Sequence, residues 1–370
     1  MTVREIAEVM EAWAPRAIAW EKDNVGLLIG SPSKTVRRIM VALDVTDAVV
    51  AEARKRSVDL LITHHPLMFN GIRKITDGDR DGRLIQALIH NNIALYAAHT
   101  NLDFTVNGVS SALARMIGLQ ETAVLHGENG RYTKIAVFVP ATHAGSVAQA
   151  MMDAGAGQIG NYDSCSFRSK GQGTFRPLEG TTPFIGTHGK LESVDELRVE
   201  LICPTWKTDS ILHAMRATHP YEQPAYDLYA LANSSQEYGA GIVGTLAIPV
   251  PFANFLTHLH SALNVPSLRY TGDVRKKISR VAVCGGSGAD LISAAIRMGA
   301  DAFVTADIRY HAFQDAEGMI ALVDAGHFET ESPIVHEIVS TVRAACRNRK
   351  KTVTVFAAQQ SRNPVQYSVL

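Results

Sequence analysis

The stretch VDLLITHHP, residues 58–66, is a short apolar run that stops at two adjacent imidazoles and a proline. An unbroken apolar run of this length, closed by a breaker, predicts a strand buried on both faces, as in parallel sheets. Two further segments end the same way: IALYAAHTNLD (93–103) runs into His99 and Asp103, and IALVDAGHFETE (320–331) into His327 and Glu331. In an open α/β protein the carboxyl ends of such strands face one crevice, where ligands bind. Three strand ends bearing imidazole and carboxylate groups predict one shared site.

Outward from residue 58, the chain between Arg37 and about Leu119 alternates apolar runs with helical patterns. RRIMVALDV (37–45), VDLLIT (58–63) and IALYAA (93–98) are the strands, and helices are expected near 46–56, 82–91 and 108–117. The same alternation returns late in the chain, with strands over 280–284, 300–306 and 319–325, a helix around 311–316 and a closing helix over 332–348. Such βα alternation predicts a parallel sheet covered by helices. Between the two stretches the pattern changes to KIAVFVP (134–140), a helix at 143–155, DSCSFR (163–168), RVELICP (198–204), a helix at 208–220 and AYDLYALA (225–232). That order, β-α-β-β-α-β, is the ferredoxin-like arrangement. Residues 169–184, SKGQGTFRPLEGTTPF, are expected as a loop that packs at an interface or covers a cavity. The fold class is therefore α/β: a layered metal-binding domain made of two chain halves, residues 1–125 and 236–370, interrupted by a ferredoxin-like α+β insert, 126–235.

With 370 residues, 46% hydrophobic and 19% charged, the chain can bury more than one core. Lys+Arg and Asp+Glu balance at 36 each, so no overall positive field draws nucleic acid or an anionic membrane. Cys165, Cys203, Cys284 and Cys346 are far apart and form no CxxC pair, which argues against a structural zinc site or a disulfide framework. The N-terminus reads as a folded helix: Thr2 and Glu5 form a capping box, and Val3, Ile6, Val9, Met10 and Trp13 recur at helical spacing up to Pro15. No secretory signal and no membrane-spanning run is visible, and a cytoplasmic location is expected.

Six groups at the strand ends, His64, His65, His99, Asp103, His327 and Glu331, exceed the ligand set of one catalytic zinc and suit two metals. Pro66 keeps His65 extended, so that the adjacent rings can diverge. Asp103 follows His99 by four residues and Glu331 follows His327 by four, a spacing that places each pair on one face of a helix. HTNLD looks more like a turn than a helix, which leaves His99 the least secure ligand and a candidate orienting or proton-carrying group. The two carboxylates are the candidate bridges. Glu331 has a plainer alternative as a helix N-terminal charge. Imidazole and carboxylate without thiolate suit zinc, iron, manganese, cobalt or nickel, and paired ions activate water. After a further strand end, Asp307 and His311 are candidates for acid or base, or for a helix cap and an exposed ring. Gly285-Gly286-Ser287-Gly288 reads as a tight βα turn more than as a nucleotide loop.

DNVGLLIG (23–30), ITHHPLMF (62–69), AAHTNLD (97–103), VTADIRYHAFQDA (304–316) and DAGHFETE (324–331) resemble the GTP cyclohydrolase 1 type 2-like family, the dinuclear metal-centre toroidal hexamers related to the NGG-interacting factor. GNYDSCSF, IGTHGKLE and HPYEQPAYDLY resemble the PII/CutA-like extra domain of its longer bacterial members. The resemblance implies metal ligands at His64, His65, Asp103, His327 and Glu331, with His99 close by. It also implies two divalent ions per subunit, zinc or iron foremost, and a homohexamer acting on a small, nucleotide-like molecule. The family name implies hydrolytic opening of the guanine ring of GTP, with His311 or His99 carrying protons. A phosphoesterase, or a hexameric metal-binding scaffold whose insert binds an effector, is the alternative.

Overall fold

The computed structural model describes residues 1–368. The chain forms two compact units, one made of residues 1–127 and 236–370, the other of residues 128–235. In chain order the larger unit begins with α1 (Val3–Trp13), β1 (Gly26–Ile29), β2 (Arg38–Ala42), α2 (Asp47–Lys55), β3 (Leu60–Thr63), α3 (Arg80–His90), β4 (Ala94–Ala97), α4 (Thr100–Asp103), α5 (Val109–Met116) and β5 (Gln120–Gly127). The smaller unit is β6 (Tyr132–Pro140), α6 (Ala144–Asp153), β7 (Phe167–Phe175), β8 (Glu192–Pro204), α7 (Thr208–Thr218) and β9 (Tyr226–Leu231). The larger unit resumes with β10 (Gly239–Pro251), α8 (Phe252–Leu263), β11 (Arg269–Thr271), β12 (Lys277–Ser287), α9 (Ile292–Arg297), β13 (Ala302–Ala306) and α10 (Tyr310–Ala316). It closes with β14 (Ala321–Asp324), α11 (His327–Glu331), α12 (Pro333–Asn348) and β15 (Thr354–Ala357).

The two halves of the larger unit do not merge into one sheet. The first builds a sheet in the order β1-β4-β3-β2-β15 and the second a sheet in the order β11-β14-β13-β12-β10-β5. Each contains three adjacent parallel strands, β2-β3-β4 and β12-β13-β14, flanked beyond the third by an antiparallel strand, β1 or β11. The likeness reaches individual hydrogen bonds. The Asp59 carboxylate accepts from the backbone N–H groups of Arg37 and Arg38, at 2.8 and 2.9 Å, and Asp301 accepts from those of Ser279 and Arg280, both at 2.9 Å. After the strands, the Ala98 N–H donates to the Thr63 carbonyl and that of Ala325 to the Thr305 carbonyl, both at 2.9 Å. Residues 58–63 and 300–305 therefore correspond.

Burial on both faces explains the continuous apolar runs. In β2, Ile39 and Val41 face a core shared with α1, α5 and α12, while Met40 and Ala42 face a second one with α2 and α3. In β13, Ala302 and Val304 pack with Phe252 and Phe255 of α8, and Phe303 packs on the opposite side near α9. The Thr2–Glu5 capping box opens α1 as expected. Strands β1, β5, β10, β11 and β15 and helix α8 were not marked by the sequence pattern: β1, β5, β11 and β15 lie at sheet edges, and glycines and prolines interrupt β10. Among the described residues no helix is long and apolar enough to cross a membrane.

In the smaller unit the strand order is β7-β8-β6-β9, antiparallel throughout, with α6 and α7 packed on one face against Ile135, Val137, Val139, Val199 and Leu201. Residues 169–175, expected as part of a loop, form most of strand β7 instead. They pair residue by residue with β8, and that cross-strand ladder overrides the low strand propensity of Gly171 and Gly173.

Candidate metal centre

The site forms where the carboxyl ends of β3 and β4, from the first sheet, meet that of β14, from the second. His64 and His65 prolong the pairing of β3, their N–H groups donating to the carbonyls of Ala42 and Leu43 at 3.3 and 3.0 Å. HTNLD is not a bare turn: His99 caps the short helix α4, and the Asp103 N–H returns to the His99 carbonyl at 3.1 Å. His327 and Glu331 are the two ends of α11, so the four-residue spacing brings His327 Nε2 to 3.0 Å from Glu331 Oε2. The Glu331 carboxylate is buried among these rings and is not a surface helix charge.

Every ring is held by its Nδ1. That of His64 faces the Ala98 carbonyl at 2.8 Å, that of His65 faces Asp44 at 2.8 Å, that of His99 faces Asp23 at 2.9 Å and that of His327 faces Asp307 at 2.6 Å. A carbonyl or an ionised carboxylate can only accept, so each Nδ1 carries the proton and each neutral ring keeps its lone pair on Nε2. Those lone pairs converge on one another and on acceptors. His65 Nε2 lies 3.0 Å from Glu331 Oε2 and 3.4 Å from His327 Nε2. His64 Nε2, fully buried, lies 3.6 Å from Asp103 Oδ1 and 3.8 Å from Glu331 Oε1. His64 Nε2, Asp103 Oδ1 and Glu331 Oε2 are buried with no hydrogen-bond partner. A buried meeting of acceptors is costly unless positive charge joins it, and these donors fit a divalent cation. Donor atoms lie within 4.8 Å of one another in two triads, His64 with His65 and His99, and His65 with His327 and Glu331.

In the metal-free protein, protons on His65 and His327 supply that positive charge. Burial opposes charging His65, yet Asp44 and Glu331 raise its pKa to about 10. Glu331 and then Asp307 raise that of His327 to about 9 against desolvation. Burial also works against ionised Glu331, but His327, His64 and His65 hold its carboxyl well below the usual range. Burial raises Asp103, with His64 pulling the other way. Cys284 stands nearby, its thiol pushed up to about 12 by burial and Asp103, so it remains protonated beside an imidazole and carboxylate donor set.

Of the groups expected from sequence, the fold gathers His64, His65, His99, Asp103, His327 and Glu331. His311 is not among them: it is exposed on α10, and its ring contacts are Tyr310 and Gln314. The proton-carrying part expected for it has no support in that position, because an exposed ring facing solvent does not reach the buried donors. Asp307 orients His327 rather than capping a helix, and it accepts from the Ser287 hydroxyl as well. Its φ of 55°, uncommon for a residue with a side chain, is the kind of local strain that accompanies functional positions. The Gly285–Gly288 segment, expected as a tight turn, instead continues strand β12 to Ser287 through a shift in register with β13, and it forms a wall of the site. A Cβ on Gly286, whose φ is 64°, would stand 2.1 Å from Glu331 Oε1. Asp23 and Asp44 carried no assignment from sequence. Asp44 follows strand β2 as His65 follows β3, so the same strand-end rule finds it. Asp23 precedes β1 in a loop and meets His99 only through the fold.

The sequence profile of the Duf34/NIF3 (NGG1p interacting factor 3) family matches residues 1–364. A Halalkalibacterium halodurans protein named GTP cyclohydrolase 1 type 2 homolog is 39% identical over 365 residues, 98% of each chain. Among solved structures, a Bacillus cereus protein related to NIF3 superposes with a TM-score of 0.87 at 39% identity, over 100% of this chain and 99% of that one. A Staphylococcus aureus protein does so with a TM-score of 0.81 at 30% identity, over 100% and 99% of the two chains.

Proposed function

The chain belongs to the Duf34/NIF3 family, and from that premise we propose that it is a metal-dependent hydrolase of the GTP cyclohydrolase type, holding two divalent ions and opening the guanine ring of GTP or a related nucleotide. One observation carries the reading: the Nε2 atoms of three imidazoles and two carboxylates converge in a buried place where only protons or a cation can join them. An imidazole whose Nδ1 is protonated has one lone pair to give. His65 and His327 would therefore hold one ion, and His64 with Asp103 the other. Glu331 would reach both, since Oε2 lies 3.0 Å from the Nε2 atoms of His65 and His327 while Oε1 lies 3.8 Å from that of His64. Bound there, paired ions would supply an activated water and stabilise the charge that develops on attack.

The remaining work falls to the protein's own groups. Asp44 and Asp307 keep the protons of His65 and His327 on Nδ1 and so keep Nε2 turned inward. His99 is partly exposed, and Asp23 holds its Nδ1, while the Thr100 N–H and hydroxyl fix the other oxygen of Asp23 at 3.0 and 2.5 Å. That leaves the opposite edge of the His99 ring to take a proton from water or return one to the leaving group. Phe69, half exposed, stands edge-on to His99 with ring centroids 6.1 Å apart, an apolar surface on which a flat base can rest.

The test is formate release from GTP by metal-loaded protein, run beside Asp103→Ala. The expected result is turnover by the parent and loss of both bound metal and turnover in the variant. Fully loaded protein that leaves GTP and a panel of other nucleotides intact overturns the catalytic reading and favours a metal-binding scaffold.

A further inference from the structure

The inserted unit contains an open cavity of about 670 Å³ on the sheet face that α6 and α7 leave uncovered. Its size is that of a small-molecule site. We propose that this cavity binds a planar aromatic compound carrying an anionic, acceptor-rich group.

Shape argues for the planar ring. Gly171 on β7 and Glu196 on β8 are register partners, and Gly171 brings no side chain to the cavity floor; a Cβ built there meets nothing within 4 Å. At Gly173 the corresponding space is occupied by the Glu196 carboxylate. The same cavity is lined by three aromatic rings, Phe175, two positions beyond Gly173 on the same strand, and Phe184 and Tyr221; the Phe175 and Phe184 centroids lie 5.7 and 6.4 Å from Tyr221. Bare peptide beside clustered aromatic rings suits a flat molecule.

Charge and hydrogen bonding argue for the acceptor. Arg198 Nε is buried without a hydrogen-bond partner and has a proton to donate, and the Tyr221 hydroxyl, beside Glu196, is a second donor. Arg198 is paired with Glu200 only through its terminal nitrogen, at 2.7 Å. Lys170 and Arg176 also line the cavity, and neither forms an ion pair among the described residues. Of the two lining carboxylates, Glu222 is engaged by the Thr182 N–H and Glu196 lies against Tyr221, whose pKa burial first and then Glu196 push up to about 12. The hydroxyl thus stays protonated and the uncommitted charge is positive.

The full-length chain is titrated calorimetrically with GMP and with 2-naphthoate, two aromatic anions of different origin, and with guanosine as the uncharged counterpart of GMP. Saturable binding of GMP alone assigns the cavity to nucleotides, of 2-naphthoate alone to aromatic acids, and of both to the shared chemistry. Gly171→Leu, which fills the floor without touching backbone geometry, is expected to abolish binding. Tyr221→Phe with Arg198→Met is expected to weaken it tenfold or more, and Asp103→Ala to leave it unchanged. Guanosine is expected to bind at least tenfold more weakly than GMP wherever GMP binds. Absence of binding by either anion, binding that survives Gly171→Leu, equal binding of guanosine and GMP, or loss of binding in Asp103→Ala overturns the proposal.

Discussion

The two parallel three-stranded units of the larger domain place different chemistry at equivalent ends. After β3 the sequence is Thr63-His64-His65; after the corresponding residues of β13 it is Thr305-Ala306-Asp307. The third strands end alike, β4 in His99 with Asp103 and β14 in His327 with Glu331, but the second carries one extra residue, Gly326 at a φ of 84°, between the shared alanine and its histidine. The first half thus supplies three of the four rings and the second supplies the carboxylate that approaches rings of both halves, plus a ring held by its own aspartate. A scaffold used twice can divide its labour when the strand ends differ by one or two side chains, because those ends are where a sheet presents groups it need not pack.

Glu331→Gln tests the comparison most severely, because the Glu331 carboxylate approaches rings from both halves. Metal affinity is expected to fall by more than about 100-fold, beyond what loss of an orienting partner usually costs, read from metal content after dialysis against a graded chelator. Retention of both ions would show that the halves bind independently. Gly286→Ala attacks the same carboxylate from its wall and adds a cost of about 1–3 kcal/mol from the left-handed backbone, visible in thermal unfolding. Next in size, Asp44→Asn in the first half and Asp307→Asn in the second should each weaken metal binding by about 10- to 100-fold; an effect confined to one of them breaks the equivalence of the two ring supports.

The same two rings set the pH behaviour. With folded values near 10 for His65 and 9 for His327 against 6.5 for a free ring, their contribution to the metal-free fold is complete below pH 6.5 and is lost as pH rises through 9 to 10. Metal competes with those protons, so loading at pH 7 should release protons and affinity should rise toward pH 9, by up to about tenfold per unit for each proton displaced. Calorimetry in two buffers of different ionisation heat reads the release; none at pH 7 sinks the argument. The smallest expected effect is structural: Asp59→Ala and Asp301→Ala each remove one carboxylate that ties two N–H groups, at about 1 kcal/mol apiece. Unequal losses in denaturant unfolding would mark one tie as more deeply used than its counterpart.

Much of this was legible along the chain, for a physical reason. Strands buried on both faces must be apolar throughout, so β2, β3, β4, β13 and β14 announce themselves, and polar groups directly after them stand out as available for chemistry. Edge strands such as β1 and β11 bury less and leave a weaker imprint. Strand β7 leaves one that misleads, because its glycines read as loop while its pairing with β8 makes it strand. The donors His64, His65, His327 and Glu331 were visible by position. Of their supports, Asp44 obeys the same strand-end rule and Asp23 does not; an aspartate near a strand is usually a cap or a surface charge, and only proximity in space shows that either orients a ring.

By itself the sequence determined which segments are strands of a buried sheet, that ligand-type side chains terminate three of them, and the family to which the chain belongs. Only the tertiary structure decided that those strands lie in two sheets rather than one, that His311 stays outside the cluster, and that each ring donates its Nδ1 proton so that the lone pairs meet. Periodicity and termination are local properties, fixed by what each residue does to its own strand. The convergence of Glu331 with rings more than 260 residues away depends on how two sheets pack, which no local pattern encodes.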